Sequence, residues 1–342
     1  MGWEMRKMGS IRNDYQLNKA FKIGNTIIEN PVIVAPMAGA TDHPYRKILT
    51  EFSPGLICGE MVSAKGILHN NNRTKKIIKQ HNEGVLYSQQ LFGSDPEIMA
   101  EAAKSIEEYG VDILDINMGC PAPKIVKNGD GAALLRQPDL AAKIVNGVVA
   151  AVNIPVTVKI RTGFDSGSIN TVEISKIAQE SGAQAVIIHG RTCEQQYSGE
   201  ADWHEIHRVK ERLDIPVIGN GDIFNPVDAL DALTQWGCNG VMLGRGILGN
   251  PWLIERCITM LLYGQPSPNP SSKNIEQIVK KHFTEAISHY GEFRGITEMR
   301  KHISWYMKGL PNSTEIKDKI MRMNDKEQIL STISTYFASL SD

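Results

Sequence analysis

Cys120 stands in "DINMGCP" (115–121), directly after the apolar run "VDIL". A structural cysteine usually sits inside an apolar pattern, packed as a small hydrophobe. Here Gly119 permits a tight turn and Pro121 fixes the exit, so the stretch predicts an exposed loop carrying a reactive thiol. It does not say what that thiol reacts with. Lys159 lies in "VTVKIRTG" (156–163) between β-branched neighbours, where an extended strand carries it toward the end of a sheet. Such a lysine serves as a Schiff-base nucleophile, as a fixed cation facing an anionic cofactor, or as a side chain snorkelling to solvent.

These two residues belong to a wider pattern. Eight short apolar runs occur between residues 32 and 246, and seven of them close on functional groups. The closing residues are Glu60, Gln90, Asn117 with Cys120, Lys159 with Arg161, His189 with Arg191, Asn220 with Asp222, and Arg245. Loops are polar in general, but seven coincidences at strand ends point to one shared site. The "NGD" at 220–222 and the "GRG" at 244–246 follow the last two runs, where barrel enzymes commonly hold a phosphate. "GRGILG" (244–249) matches GxGxxG literally, yet a dinucleotide fingerprint needs a further parallel strand and an acidic residue about 20 positions on. A Pro/Ser-rich stretch follows instead, so a mononucleotide phosphate paired with Arg245 is the better reading.

The elements that must position these groups alternate. Strand candidates at 32–37, 56–61, 85–93, 113–119, 156–163, 185–191, 216–222 and 240–246 are separated by helical patterns such as "DPEIMAEAAKSIEEYG". Eight strand–helix units predict a closed (β/α)8 TIM barrel in preference to an open doubly wound sheet. "FKIGNTIIENPV" reads as a hairpin plugging the barrel floor. "YGQPSPNPSSKN" reads as a linker, and the remainder shows only helical patterning. The division is therefore an N-terminal extension (1–20), a barrel (21–265) and a small all-helical C-terminal domain (266–342).

Composition narrows the class. The formal net charge of −1 argues against a protein coated in nucleic acid, although residues 266–342 hold eleven basic against nine acidic residues. No apolar run reaches the roughly 18 residues of a membrane span, and the N-terminus has no apolar signal region. Five scattered cysteines without CxxC spacing indicate no metal site and no disulfide framework, as in a cytoplasmic protein.

Several segments together resemble one family. "APMAGATDHPYR", "QLFGSDP", "DINMGCPAPKIVKNGDGAALL", "VTVKIRTGF", "IIHGRT", "VIGNGDI", "GVMLGRGILGNPWL" and "MRKHISWYMKG" are similar in order and spacing to bacterial tRNA-dihydrouridine synthases, most closely the B-type branch. The resemblance runs from about residue 21 to 310. It implies reduction of uridines in tRNA to 5,6-dihydrouridine by an FMN-bearing barrel, with NADPH as electron donor and Cys120 as the acid. It places FMN against Pro36, Met37, Ala38 and Gln90, with Lys159 and His189 near the ring. Asn220, Gly221, Asp222, Gly244 and Arg245 would hold its ribityl and phosphate. Asn117 would orient the base, with Arg161 and Arg191 on the tRNA side. The loop after Cys120 reads as a lid, its Lys124 and Lys127 near the tRNA backbone. Arg300, Lys301 and Lys308, with Trp305, offer cations beside an aromatic for RNA. A monomer is expected. Three rivals remain at this level: a flavin barrel of the dihydroorotate or dihydropyrimidine dehydrogenase type acting on a free base, a Schiff-base aldolase using Lys159, and a barrel that binds RNA without chemistry.

Overall fold

A computed structural model describes Leu17, residues 19–69, Ile77 and residues 84–340. The expected N-terminal extension lies outside the described residues, apart from Leu17, Lys19 and Ala20. The hairpin is present as β1 (Phe21–Ile23) and β2 (Thr26–Ile28), paired antiparallel. The eight barrel strands follow: β3 (Val32–Val34), β4 (Leu56–Cys58), β6 (Tyr87–Phe92), β7 (Ile113–Met118), β8 (Val156–Arg161), β9 (Ala185–His189), β10 (Val217–Asn220) and β11 (Gly240–Leu243). All pair in parallel with their neighbours. β3 pairs with both β4 and β11, and β4 with β6, which closes the ring. A two-residue strand, β5 (Val62–Ser63), adds to the upper end of β6 and was not anticipated.

Period-two alternation divides each strand between two environments. Ile113, Ile187, Ile218 and Met242 point inward and cluster with Ile23 and Ile28 of the hairpin, so the barrel floor is closed by apolar side chains. Their neighbours Leu114, Val186 and Val241 point outward into the layer shared with the helices. The helix Pro96–Glu107 shows why that layer forms. Asp95 caps it by accepting from the amides of Glu97 and Ile98, Pro96 starts it, and Met99, Ala102, Ala103 and Ile106 bury one stripe. In the upper barrel most inward positions are polar instead, namely Gln90, Asp115, Asn117, Lys159, His189 and Asn220, while β3 and β4 end on Ale35-free apolar ground at Ala35 and Cys58.

The last barrel helix, Trp252–Tyr263, stops at Gly264, whose φ of +71° supplies a left-handed cap. After the linker come the helices Ser272–Tyr290, Glu292–Tyr306, Ser313–Arg322 and Lys326–Ala338. They press onto the barrel. Tyr45 stacks on His282 with ring centroids 5.0 Å apart, and its hydroxyl donates to the carbonyl of Ile247. Tyr290 donates to Asp42 at 2.9 Å. A Cβ on Gly249 would lie 2.2 Å from the Trp305 carbonyl carbon, so backbone meets backbone there. Among the described residues, no helix is long and apolar enough to cross a membrane.

Candidate active site

The strand ends open into a cavity of about 690 Å³. It collects Pro36, Met37, Ala38, Gln90, Asn117, Cys120, Lys159, Arg161, His189, Asn220, Gly221, Asp222, Gly244 and Arg245 from the barrel, and Lys301 with Trp305 from the helical segment. These include every residue expected to touch a cofactor. Gln90, Asn117, Lys159, Arg161, His189 and Asn220 lie in the C-terminal halves of their strands, whereas Cys120, Asp222 and Arg245 stand beyond the strand ends.

Cys120 is half-buried, and the other four cysteines are buried; all five are free thiols. Its loop is tied from three sides. Asn117 Oδ1 accepts from the amides of Gly119 (3.1 Å) and Cys120 (2.9 Å). Arg161 Nε donates to the Gly119 carbonyl at 2.8 Å, and its Nη1 donates to the carbonyls of Thr192 (2.7 Å) and Gln196 (2.8 Å). The Ala132 amide donates to the Cys120 carbonyl at 3.1 Å. Burial pushes the thiol pKa up, overriding the backbone contact at Ala122 and the cations Arg161 and Lys159. The group is therefore a neutral thiol at neutral pH.

Lys159 is half-buried and donates to Asn220 Oδ1 at 3.1 Å, while Asn220 Nδ2 donates to the Met242 carbonyl at 2.8 Å. Burial, reinforced by Arg161, brings its pKa down to about 8, against the pull of Asp115. His189 is pushed far below its usual range by burial and by Lys159, Arg161, Arg191 and Arg245, so it stays neutral. The cavity thus offers a fixed cation and a neutral imidazole side by side.

Asp222 is a hub at the other end. Its carboxylate accepts two hydrogen bonds from Arg191 Nη2 (2.6 and 2.8 Å), one from Arg245 (3.0 Å) and one from the Ala201 amide (2.8 Å). Asp222 has φ of +53° and Gly221 +134°, so the turn points this carboxylate back over the arginines. Arg245 remains exposed and lies over Tyr197 and Phe224, with centroids 5.0 and 5.7 Å away. The glycine wall beside it is bare: a Cβ on Gly244 would meet nothing closer than 3.8 Å. Those observations fit a phosphorylated cofactor such as FMN. The cavity has the volume of a cofactor site, the bare wall leaves room, and Arg245 and Lys159 supply positive charge.

Other expected residues fall outside the cavity. Arg191 is buried in its pair with Asp222 and also donates to the carbonyls of Ser198 and Gly199, so it braces two loops and does not face a nucleic acid. Arg300 donates to the Met323 carbonyl (3.2 Å) and Asn324 Oδ1 (2.9 Å), tying its helix to the connection between the helices Ser313–Arg322 and Lys326–Ala338. Lys124 and Lys127 are exposed on a short helix, Pro123–Lys127, where a lid was expected. Lys308 is exposed just past the end of its helix. Asp115 and Tyr197 were not singled out in the sequence. Asp115 had a signal, as an acid two residues before Asn117 in a period-two strand; Tyr197, in a loop, had none.

A family model described as "Dihydrouridine synthase (Dus)" matches residues 33–341. A probable tRNA-dihydrouridine synthase of Rickettsia bellii is 42% identical over 320 residues, covering 93% of this chain and 98% of the relative. The tRNA-dihydrouridine synthase B of Pasteurella multocida is 38% identical over 316 residues, covering 92% of this chain and 95% of its own length. Among solved structures, morphinone reductase superposes with a TM-score of 0.53 at 14% identity, over 74% of this chain and 91% of that one, a likeness of fold.

Proposed function

The chain belongs to the dihydrouridine synthase family and is an oxidoreductase, and from that premise we propose that it reduces uridines of tRNA to 5,6-dihydrouridine with FMN, using NADPH, as a monomer in the cytoplasm. The observation that supports this most is the composition of one cavity. A bare glycine wall with Arg245 lies toward one end, Lys159 and His189 line it, and a neutral thiol stands on the loop after β7.

Pro36, Met37, Ala38, Gln90, Lys159, Asn220, Gly221, Gly244 and Arg245 would hold the flavin, with Asp222 setting the direction of Arg245. Reduced flavin, when bound, supplies a hydride to C6 of the uracil. Cys120 holds the proton for C5. Its raised pKa keeps the proton on sulfur at neutral pH, ready for transfer to carbon as charge builds there. Lys159 faces that developing charge as a cation, and the neutral His189 adds a hydrogen-bonding group without opposing it. A uracil inside folded tRNA cannot reach such a cavity, so the base is unstacked into it. Trp305 and Lys301 line the cavity from the helical segment, where they would meet the entering nucleotide. Asn117, with Nδ2 given to Gln90 and Oδ1 to the loop amides, supports the thiol more directly than it orients the base.

Flavin absorbance in the purified protein, with loss of dihydrouridine from tRNA of cells lacking the gene, is the expected result. Colourless protein that neither binds added FMN nor affects tRNA dihydrouridine would refute it.

A further inference from the structure

Asp115 is wholly buried beneath the cavity and takes no part in the chemistry described above. Its two oxygens are both engaged: Oδ1 accepts from the Thr157 hydroxyl at 2.6 Å and Oδ2 from Gln90 Nε2 at 2.6 Å. Gln90 Oε1 then accepts from Asn117 Nδ2 at 2.7 Å, and Asn117 Oδ1 accepts from the amides of Gly119 and Cys120. An amide side chain can be placed either way round, because its oxygen and nitrogen have the same shape and opposite roles. A carboxylate cannot, since it only accepts. It therefore compels Gln90 to present nitrogen below and oxygen above, and that oxygen compels Asn117 to do the same. The chain ends on two backbone N–H groups, which also only donate. Reversing any member would set donor against donor or acceptor against acceptor in a region where Gln90 is 2% and Asn117 7% exposed.

We propose that Asp115 is a positioning residue for Cys120: its carboxylate sets the direction of a two-amide relay that holds the thiol-bearing loop in place. The proposal rests on Cys120 acting as the proton donor, and the test separates the two ideas. Lys159 contributes in the same sense, because its positive charge favours the ionised carboxylate that burial opposes.

Three substitutions test the relay. Asp115→Asn can keep its polarity: the new oxygen faces Gln90, and the new NH2 faces Thr157, whose hydroxyl turns to accept. Asp115→Ala cannot. Thr157→Val, close to isosteric, removes one of the two anchors of the carboxylate. The first readout is the tRNA-dependent oxidation of the pre-reduced, FMN-loaded protein. A loop displaced by ~1 Å loses about 10²-fold, the loss expected for Asp115→Ala. Asp115→Asn should stay within about threefold of wild type and Thr157→Val should fall between them. The second readout needs no tRNA. Cys120 is the one cysteine that is not buried, so iodoacetamide should label it selectively, and a loosened loop in Asp115→Ala should change the labelling rate roughly fivefold or more. Asp115→Asn should not. Equal losses in Asp115→Asn and Asp115→Ala would overturn the relay in favour of a purely electrostatic role, and a Thr157→Val protein identical to wild type in both readouts would overturn it without reliance on the Ala variant. Wild-type protein unable to reduce tRNA at all would instead refute the enzymatic reading.

Discussion

Asp222→Ala is expected to weaken the fold and disarm the phosphate end of the cavity together. The Arg191 side chain is 2% exposed and its partner 26%, with Nη2 2.6 Å from the nearer carboxylate oxygen. Removing one member of a buried pair strands the other charge, typically at about 3–5 kcal/mol. Arg191 keeps the carbonyls of Ser198 and Gly199, so the lower figure, about 3 kcal/mol, applies. Aspartate already occupies this left-handed φ of +53°, so alanine adds less than about 0.5 kcal/mol of further strain. At roughly 2 °C per kcal/mol for a chain this large, the midpoint should fall by about 6 °C in calorimetry at matched flavin content. Adding Arg191→Met removes the stranded charge and should recover more than half of the loss, since an apolar pair of similar volume is close to neutral. A midpoint within about 2 °C of wild type, or a double variant no better than Asp222→Ala, would show that solvent or another group already compensates Arg191.

Gly249→Ala should push the helix Glu292–Tyr306 off the barrel, because its Cβ would lie 2.2 Å from the Trp305 carbonyl carbon at a φ of +70°; lower thermal stability with weakened tRNA affinity in a shift assay is the expected pair of results. Lys308→Ala should flatten the slope of log affinity against log salt by a little under one unit, roughly one counterion per phosphate contact, and Lys301→Ala by less, because Lys301 Nζ is paired with Glu298 at 2.5 Å. Arg300→Ala should leave that slope alone and lower stability instead, since its guanidinium is committed to Met323 and Asn324. Burial disfavours the Cys120 thiolate, so alkylation plotted against pH should reach half-maximum above the ~8.5 of a free cysteine; a midpoint below that value would mean an activated thiolate, unsuited to giving up a proton.

Much of the architecture could be read before the fold was known, for a specific physical reason. Parallel strands buried on both faces appear as short apolar runs, and the site collects where those runs end in Gln90, Asn117, Lys159, His189 and Asn220. The partners of long charged side chains were hidden, because they arrive from distant segments. Arg191 finds Asp222 31 positions away, and Arg300 finds Asn324 24 positions away, so both looked like free cations available to RNA. The short helix Pro123–Lys127 was missed because "PAPKIVKNGDG" is rich in glycine and proline, and five residues carry too little periodicity to register. Asp115 was passed over although its place in "ILDINM" puts it on the same strand face as Asn117. A charge inside a mostly apolar strand was the signal.

The central claim is that Cys120 serves the base and not the flavin. Its most direct test is anaerobic single-turnover mixing of the fully reduced Cys120→Ala protein with unmodified tRNA, set beside reduction of the same oxidised protein by NADPH. The account predicts flavin reduction at the wild-type rate, followed by reoxidation by tRNA slowed at least about 10²-fold, the lower range for a lost general acid. Reoxidation at the wild-type rate, with dihydrouridine formed, would contradict it.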